Sequence, residues 1–306
     1  MRFGYSRYRH TKDLSFIQHA ILKTLVYSDV FDFPLSPSEI HNFLISYRTY
    51  KSDVVANLSK EPLASKYISH SGEYYALVGR EDLFEIRRQR ERNARRMWPK
   101  AIRYGRIIAS LPFVRMVAVT GSLAMNNVER DADIDYLIVT NHGRLFISNA
   151  LVLAISRFFS LHGDFICPNY LLSENALAIE NQNLFTAHEF ARMIPISGFE
   201  VFQRMWRLNG WVSKYLPNAW RFDRPYRRKK PSYRRLKGIM EGIFRTPLGM
   251  LLDRIEMSRM RRKIERNRDL PSESAIDRDR CKVHIYKNCW NTMKAFEERL
   301  RNLEGN

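Results

Sequence analysis

The sequence predicts an α+β protein. A mixed β-sheet core is expected, flanked by a small N-terminal unit of helices with a hairpin and by a helical C-terminal region. Three observations predict this: helical apolar periodicity near the N-terminus, apolar strand-like runs in the middle, and a basic, helix-rich last third. The 306 residues, 45% of them hydrophobic, suit a globular chain with a sizeable core. We expect segments at 1–80, 81–110, 111–180 and 181–306.

The first segment, 1–80, is expected to contain a compact group of helices from its thirteenth residue onward. Ile17 and Ile21 belong to an apolar series at helical spacing, which predicts a first helix. Ser36 can cap a second helix, because Glu39 follows three residues later in the capping-box position.

A third short helix is expected near 52–58, and a β-hairpin is expected over 67–77. Three helices followed by a hairpin resemble a winged helix, a fold that often binds DNA. The candidate recognition helix argues against base readout, because only Asn57 is of a type that favours base edges and Asp53 lies near its start. We therefore expect this winged-helix-like module to pack or to dock a partner rather than to read a DNA sequence.

The sequence predicts one long connecting helix over residues 81–110, with a possible bend at Pro99. Its polar face is strongly basic. The basic residues are Arg87, Arg88, Arg90, Arg92, Arg95, Arg96, Lys100, Arg103 and Arg106. Two interpretations stay open: a solvated face, or a rim of the active site.

Residues 111–180 are expected to form the α/β core. Strands over 114–120, 134–140 and 165–172 share one sheet, and a helix over 144–159 packs across it.

A short motif inside this core has the strongest chemical content. Gly121 and Ser122 follow the first strand, and their backbone amides suit phosphate oxygens. Asp133 and Asp135 precede and enter the second strand, and strand alternation places both on one face. Two such carboxylates repel unless a cation lies between them, and Mg²⁺ or Mn²⁺ shared with substrate phosphates fits them.

With ten residues between Ser122 and Asp133, this pattern resembles the DNA polymerase β-like nucleotidyltransferase superfamily over about residues 113–172. The resemblance implies that Gly121 and Ser122 hold the β- and γ-phosphates of a nucleoside triphosphate, expected to be ATP. It implies that Asp133 and Asp135 ligate the metal while a nucleotidyl group moves to an acceptor. The competing interpretation is an ordinary βαβ unit whose two aspartates lie at a solvated strand end.

The chain as a whole also resembles bacterial proteins in which a winged-helix-like module precedes such a domain. The segments that carry this likeness are 27–35, 114–122 and 167–170. It supports the order of the segments and brings no acceptor.

Members of this superfamily usually carry a third carboxylate on a later strand. Here Asn169 stands at the expected position, and Asp164 is the acid that could replace it. An amide can ligate a metal but cannot act as a carboxylate base. Arg130 or Arg144 could neutralise phosphate charge. Two outcomes therefore stay open: an active enzyme with two aspartates, or a triphosphate-binding regulator with little turnover.

The last segment, 181–306, is expected to be helical and basic. Arginine and lysine alternate with aromatic residues over 220–268, which suits an RNA partner and makes RNA the preferred acceptor. The net charge of +19 also fits a polyanionic partner, either nucleic acid or an anionic membrane. A solubilising tail and a membrane-surface helix over 248–268 are the alternatives.

The cysteine count and the apolar pattern predict a cytoplasmic location. Three cysteines do not suggest a disulfide framework, and no signal peptide is evident. The most apolar stretch, 145–159, is too short to span a bilayer. The sequence favours RNA as the acceptor but leaves a protein side chain or a small molecule open, and it does not predict the oligomeric state.

Overall fold

The computed structural model describes residues 13–161, 163–219, 234–266, 276–282 and 285–305. Within these residues the protein is α+β, with many helices around a mixed five-stranded sheet. The predicted fold class is confirmed at this level.

The N-terminal unit contains four helices and a hairpin. These are α1 (Phe16–Asp29), α2 (Pro37–Asn42), α3 (Lys51–Leu58), α4 (Leu63–Lys66), β1 (Ile68–Ser71) and β2 (Tyr74–Leu77). The hydroxyl of Ser36 accepts from the Glu39 amide, and the Glu39 carboxylate accepts from the Ser36 amide at 2.9 Å. The predicted capping box is therefore present.

Helix α5 (Leu83–Ser110) follows the hairpin as one continuous helix of 28 residues. It passes through Pro99 without ending. The prediction of a single long connecting helix is confirmed.

The central sheet contains five strands in the order β6-β3-β4-β5-β7. They are β3 (Val114–Val119), β4 (Ile134–Thr140), β5 (Ile166–Ser173), β6 (Ile194–Ser197) and β7 (Arg280–Lys282). β4 and β5 are parallel, and the other neighbouring pairs are antiparallel. The three predicted strands share this sheet, but its two edge strands come from the segment that was predicted to be helical.

The remaining helices pack on the sheet, on one another and on the N-terminal unit. They are α6 (Gly121–Ala124), α7 (Leu145–Ser160), α8 (Leu184–Arg192), α9 (Phe199–Leu208), α10 (Val212–Tyr215), α11 (Arg234–Phe244), α12 (Pro247–Arg266) and α13 (Ile285–Gly305). Among the described helices, none has the length and apolarity to cross a membrane.

The sheet has an apolar core on each of its two faces, and alternate residues of β4 belong to one core or the other. Tyr136 and Ile138 pack with α5, α7 and α12 on one face. Leu137 and Val139 pack on the other face with α8, α9 and the N-terminal unit in one continuous apolar cluster. By the same alternation, Asp135 belongs to the face that carries α8 and the N-terminal unit.

Candidate functional site

The site centres on the contact between Gly121 and Asp135. Gly121 begins α6 with a φ of 64°, in the left-handed region that favours glycine. A Cβ atom on Gly121 would overlap Oδ2 of Asp135. The Thr120 amide donates to the backbone carbonyl of Asp135 at 3.0 Å, which holds the turn against β4. Glycine is therefore required here both by the backbone conformation and by the approach of the carboxylate.

The two aspartates differ in environment. Asp133 is exposed just before β4, whereas Asp135 is only partly exposed inside the strand. Burial raises the pKa of Asp135 to about 7, helped by the negative charges of Glu189 and Asp133. The Cys167 thiol, which hydrogen-bonds to this carboxylate, opposes that rise in pKa. Burial and the neighbouring acids thus disfavour the ionised form of Asp135, and a nearby cation would stabilise that form.

A third acid lies near this pair, and the sequence reasoning missed it. Glu189 in α8 is partly exposed, and burial raises its pKa while Arg192 lowers it. Its negative charge is the second cause of the raised pKa of Asp135, and it lines a small cavity together with Thr120, the residue before Gly121. The feature that could have identified Glu189 is an acidic residue between His188 and Phe190, which are both buried, in an apolar helix.

Asn169 faces the same small cavity as Glu189. The pairing of β4 with β5 shifts register between the Asp135–Cys167 pair and the Leu137–Tyr170 pair, so Asn169 lies in an irregular part of the strand. The cavity has a volume of about 40 Å³. It is lined by Thr120, Leu137, Asn169, Tyr170, Ile179, Thr186, Glu189, Phe190 and Met193. The buried Oδ1 atom of Asn169 has no hydrogen-bond partner, so it is available to a cation or to a donor on a ligand.

The other predicted site residues lie elsewhere or contact other groups. The Asp164 carboxylate accepts from Lys100 at 2.6 Å and from the Tyr104 hydroxyl. Arg130 is exposed in the connector before β4. Arg144 lies beyond the other end of β4, where its guanidinium donates to the Gly143 carbonyl at 2.8 Å. The structure therefore brings together Gly121, Asp133 and Asp135. Asn169 lines a cavity with Thr120, the residue before Gly121, and Arg144 lies beyond the other end of β4.

The connector between Ser122 and Asp133 is held by α5. Arg87 donates to the Met125 carbonyl at 3.4 Å, and Arg90 donates to Asn127 Oδ1 at 3.2 Å. Asn127 in turn donates to the Phe31 carbonyl in the N-terminal unit at 3.0 Å. Part of the basic face of α5 is therefore structural and fixes the connector to the N-terminal unit.

Arg192, a buried cation, follows Glu189 by three residues in α8. Arg192 donates to Met125 Sδ at 2.9 Å and stacks over the Phe43 ring at 4.7 Å. Burial lowers its pKa, while the charge of Glu189 raises it. His188 stacks on Tyr27 with ring centroids 4.0 Å apart, and burial lowers its pKa. The N-terminal unit thus packs directly against the helix that carries Glu189.

The donor set is of the kind that Mg²⁺ prefers. Carboxylates from Asp133 and Asp135 and the unpartnered amide oxygen of Asn169 are hard oxygen ligands. Throughout the part of the chain that the structure describes, no three His, Cys, Asp or Glu side chains are grouped closely enough to hold a metal by themselves. The carboxylates of Asp133 and Asp135 are thus the groups that fit a shared divalent cation.

No family model, curated protein or solved structure matches this chain.

Proposed function

We propose that this protein is a Mg²⁺-dependent nucleotidyltransferase that transfers a nucleoside monophosphate from a triphosphate to an acceptor. The observation that carries the proposal is the Asp135 carboxylate pressed against Gly121 at the start of α6. This contact supports the resemblance to the polymerase β-like superfamily, because it joins the phosphate-binding turn to the metal-binding carboxylate.

Each residue has a role in this proposal. The Gly121–Ser122 turn would hold the β- and γ-phosphates, and Asp133 and Asp135, whose charges interact, would hold the metal. Asn169 would contribute its unpartnered amide oxygen from the neighbouring cavity. Mg²⁺ held there would supply Lewis-acid stabilisation of the charge on the triphosphate and on the leaving pyrophosphate. The protein contributes position and fixed electrostatics.

Glu189 is the candidate general base. The acceptor oxygen or nitrogen forms a bond to the α-phosphorus, its proton passes to the Glu189 carboxylate, and the bond to pyrophosphate breaks. The raised pKa of Glu189 makes it a stronger base than an exposed glutamate. Its place in the site fills the role for which the sequence offered Asn169 or Asp164.

RNA is the acceptor class that the charge of the chain favours. Arg95, Arg96, Arg103 and Arg106 are exposed along α5. Much of the predicted RNA-binding region, 220–233 and 267–268, lies outside the described residues. These exposed arginines of α5 would contact the phosphate backbone of the acceptor.

Transfer of label from a radioactive nucleoside triphosphate, with Mg²⁺ and total cellular RNA, tests the proposal. We expect labelled RNA from the native protein and none from Asp133→Ala with Asp135→Ala. Glu189→Gln should slow transfer by about 10²-fold or more. Asp131→Ala is the matched control, since Asp131 is an exposed acid of the same connector. Absence of transfer to RNA, protein or small-molecule fractions contradicts the proposal, as does transfer that survives the double substitution.

The alternative is a regulator that binds a triphosphate or nucleic acid with little turnover. The contact of Asn127 with Phe31 favours it, because a ligand at the connector could act on the winged-helix-like module. Base readout by that module remains unfavoured, since the Asn57 amide donates to the Asp53 carbonyl of its own helix at 2.8 Å. Salt-sensitive nucleic-acid binding without a metal requirement, together with absent transfer, would support this alternative.

A further inference from the structure

The helices α11 and α12 carry a row of exposed apolar side chains. Ile239 and Ile243 of α11 are 63% and 62% exposed. Leu248, Leu251 and Ile255 of α12 are 64%, 54% and 45% exposed. We name these five residues the outer strip. Isolated exposed leucines are common, but five exposed aliphatic side chains on two consecutive, contacting helices are a concentration of apolar surface of the kind found at interaction sites.

The opposite sides of both helices are fixed to the core. In α11, Lys237 donates to the Ala109 carbonyl at 2.9 Å, and the buried Glu241 accepts from the Phe113 amide at 2.9 Å. In α12, the buried Asp253 accepts from the amides of Phe146 and Ile147 at the start of α7, both at 2.9 Å. The outer strip is therefore exposed on helices that are firmly attached.

The surface around the outer strip is basic. Its exposed cations are Arg245, Arg254, Arg259, Arg261, Arg262 and Arg266. Of the acids on these two helices, Glu241 and Asp253 are buried on the inner sides, Glu256 is partly exposed and pairs with Arg259 at 2.6 Å, and Glu265 is exposed. An apolar row bordered by guanidinium groups is complementary to a surface that is apolar inside and anionic outside.

We propose that the outer strip binds the interface of an anionic lipid membrane, with α12 lying in the membrane plane. The five aliphatic side chains enter the boundary of the acyl chains, and the surrounding arginines contact lipid phosphates. A nucleic acid satisfies the arginines but offers little to an aliphatic row, which is why the membrane is the favoured partner. This proposal is independent of the chemistry at Asp135.

Sedimentation of the full chain with lipid vesicles tests it. We expect binding to phosphatidylcholine vesicles that contain phosphatidylglycerol, and little binding to pure phosphatidylcholine. Added salt should weaken the binding, because the arginine contribution is screened. Leu251→Asp with Ile255→Asp should lower the partition constant by at least ~10-fold. Arg254→Gln with Arg262→Gln should lower it less and reduce its salt dependence.

The matched control is Phe16→Asp with Val55→Asp, which places the same charges on exposed apolar positions of the N-terminal unit. It should bind vesicles as the native chain does, and circular dichroism should show that every variant is folded. Equal binding by Leu251→Asp with Ile255→Asp overturns the proposal. Absence of vesicle binding also overturns the proposal. This holds whether the outer strip then proves to mediate a dimer, to bind RNA or to be covered by residues 220–233.

Discussion

At the scale of single residues, Gly121 shows how one missing side chain shapes the candidate site. Gly121→Ala should destabilise the protein by about 2–4 kcal/mol, because φ strain adds to the overlap with Asp135. Gly143→Ala is the control: its φ is 66°, but nothing lies within 4 Å of the added Cβ, so about 1 kcal/mol is expected. Urea unfolding measures both. Adding Asp135→Ala should recover part of the loss at Gly121, and an equal cost at the two glycines would contradict the close contact.

Asp135 itself should make stability depend on pH. Its pKa is raised from 3.8 to about 7 in the folded protein, so the folded state binds more protons between these values. The free energy of unfolding therefore falls as pH rises from about 4 through 7. Asp135→Asn should remove this fall and make the protein more stable than the native chain above pH 7, by roughly 1–3 kcal/mol after allowance for partial exposure.

Thermal unfolding across this pH range measures the effect, with Asp131→Asn as the exposed control. The curves of the native chain and Asp135→Asn should converge below about pH 3, where the carboxyl is protonated in both the folded and the unfolded state. Mg²⁺ with a triphosphate should raise the melting temperature of the native chain and leave Asp135→Asn unaffected. If Asp135→Asn were less stable than the native chain above pH 7, that would contradict the inference that the ionised Asp135 carboxylate destabilises the folded protein.

At the scale of elements, α5 links the N-terminal unit to the candidate site. Arg87 is 3% exposed and contacts Glu39 at 2.9 Å and Glu91 at 2.8 Å. Arg87→Met should cost about 2–4 kcal/mol, because it leaves two partly buried carboxylates without their cation. Arg92→Met on the same helix should cost less than ~0.5 kcal/mol, since Arg92 and its partner Glu85 are half exposed or more. Chemical denaturation of both variants measures the difference between their free energies of unfolding. Similar losses of stability in the two variants would mean that α5 is merely a solvated helix.

The elements also show what the sequence could predict. The strands β3, β4 and β5 and the capping box at Ser36 follow from local periodicity and local hydrogen bonding, and these predictions are confirmed. The edge strands β6 and β7 have four and three residues, and β6 contains Pro195, so they carry no periodic signal. Glu189 was missed for a related reason. It reaches the site through packing of α8 on the sheet, which no spacing in the sequence encodes.

At the scale of the whole molecule, the N-terminal unit and one face of the sheet share a single core. Leu44 and Leu63 of that unit belong to the same apolar cluster as Leu137 of β4 and Phe190 of α8. His188 and Arg192 are buried by Tyr27 and Phe43, so removal of the unit would expose an apolar face together with groups that now have shifted pKa values. The segments that the sequence suggests as separate modules are therefore expected to be one cooperative unit.

Leu44→Ala tests this cooperativity, because Leu44 is fully buried far along the chain from Asp135. The cavity should cost about 2–4 kcal/mol and should lower the melting temperature seen by tryptophan fluorescence and by far-ultraviolet circular dichroism equally. The described tryptophans that pack in this core are Trp206 and Trp211, which report on the sheet side. If the unit were independent, the fluorescence transition would stay at its native temperature while part of the helical signal melted early. A single shifted transition would mean that a ligand bound at Asp135 also stabilises the N-terminal unit, which links the candidate site to the surface of that unit through one shared core.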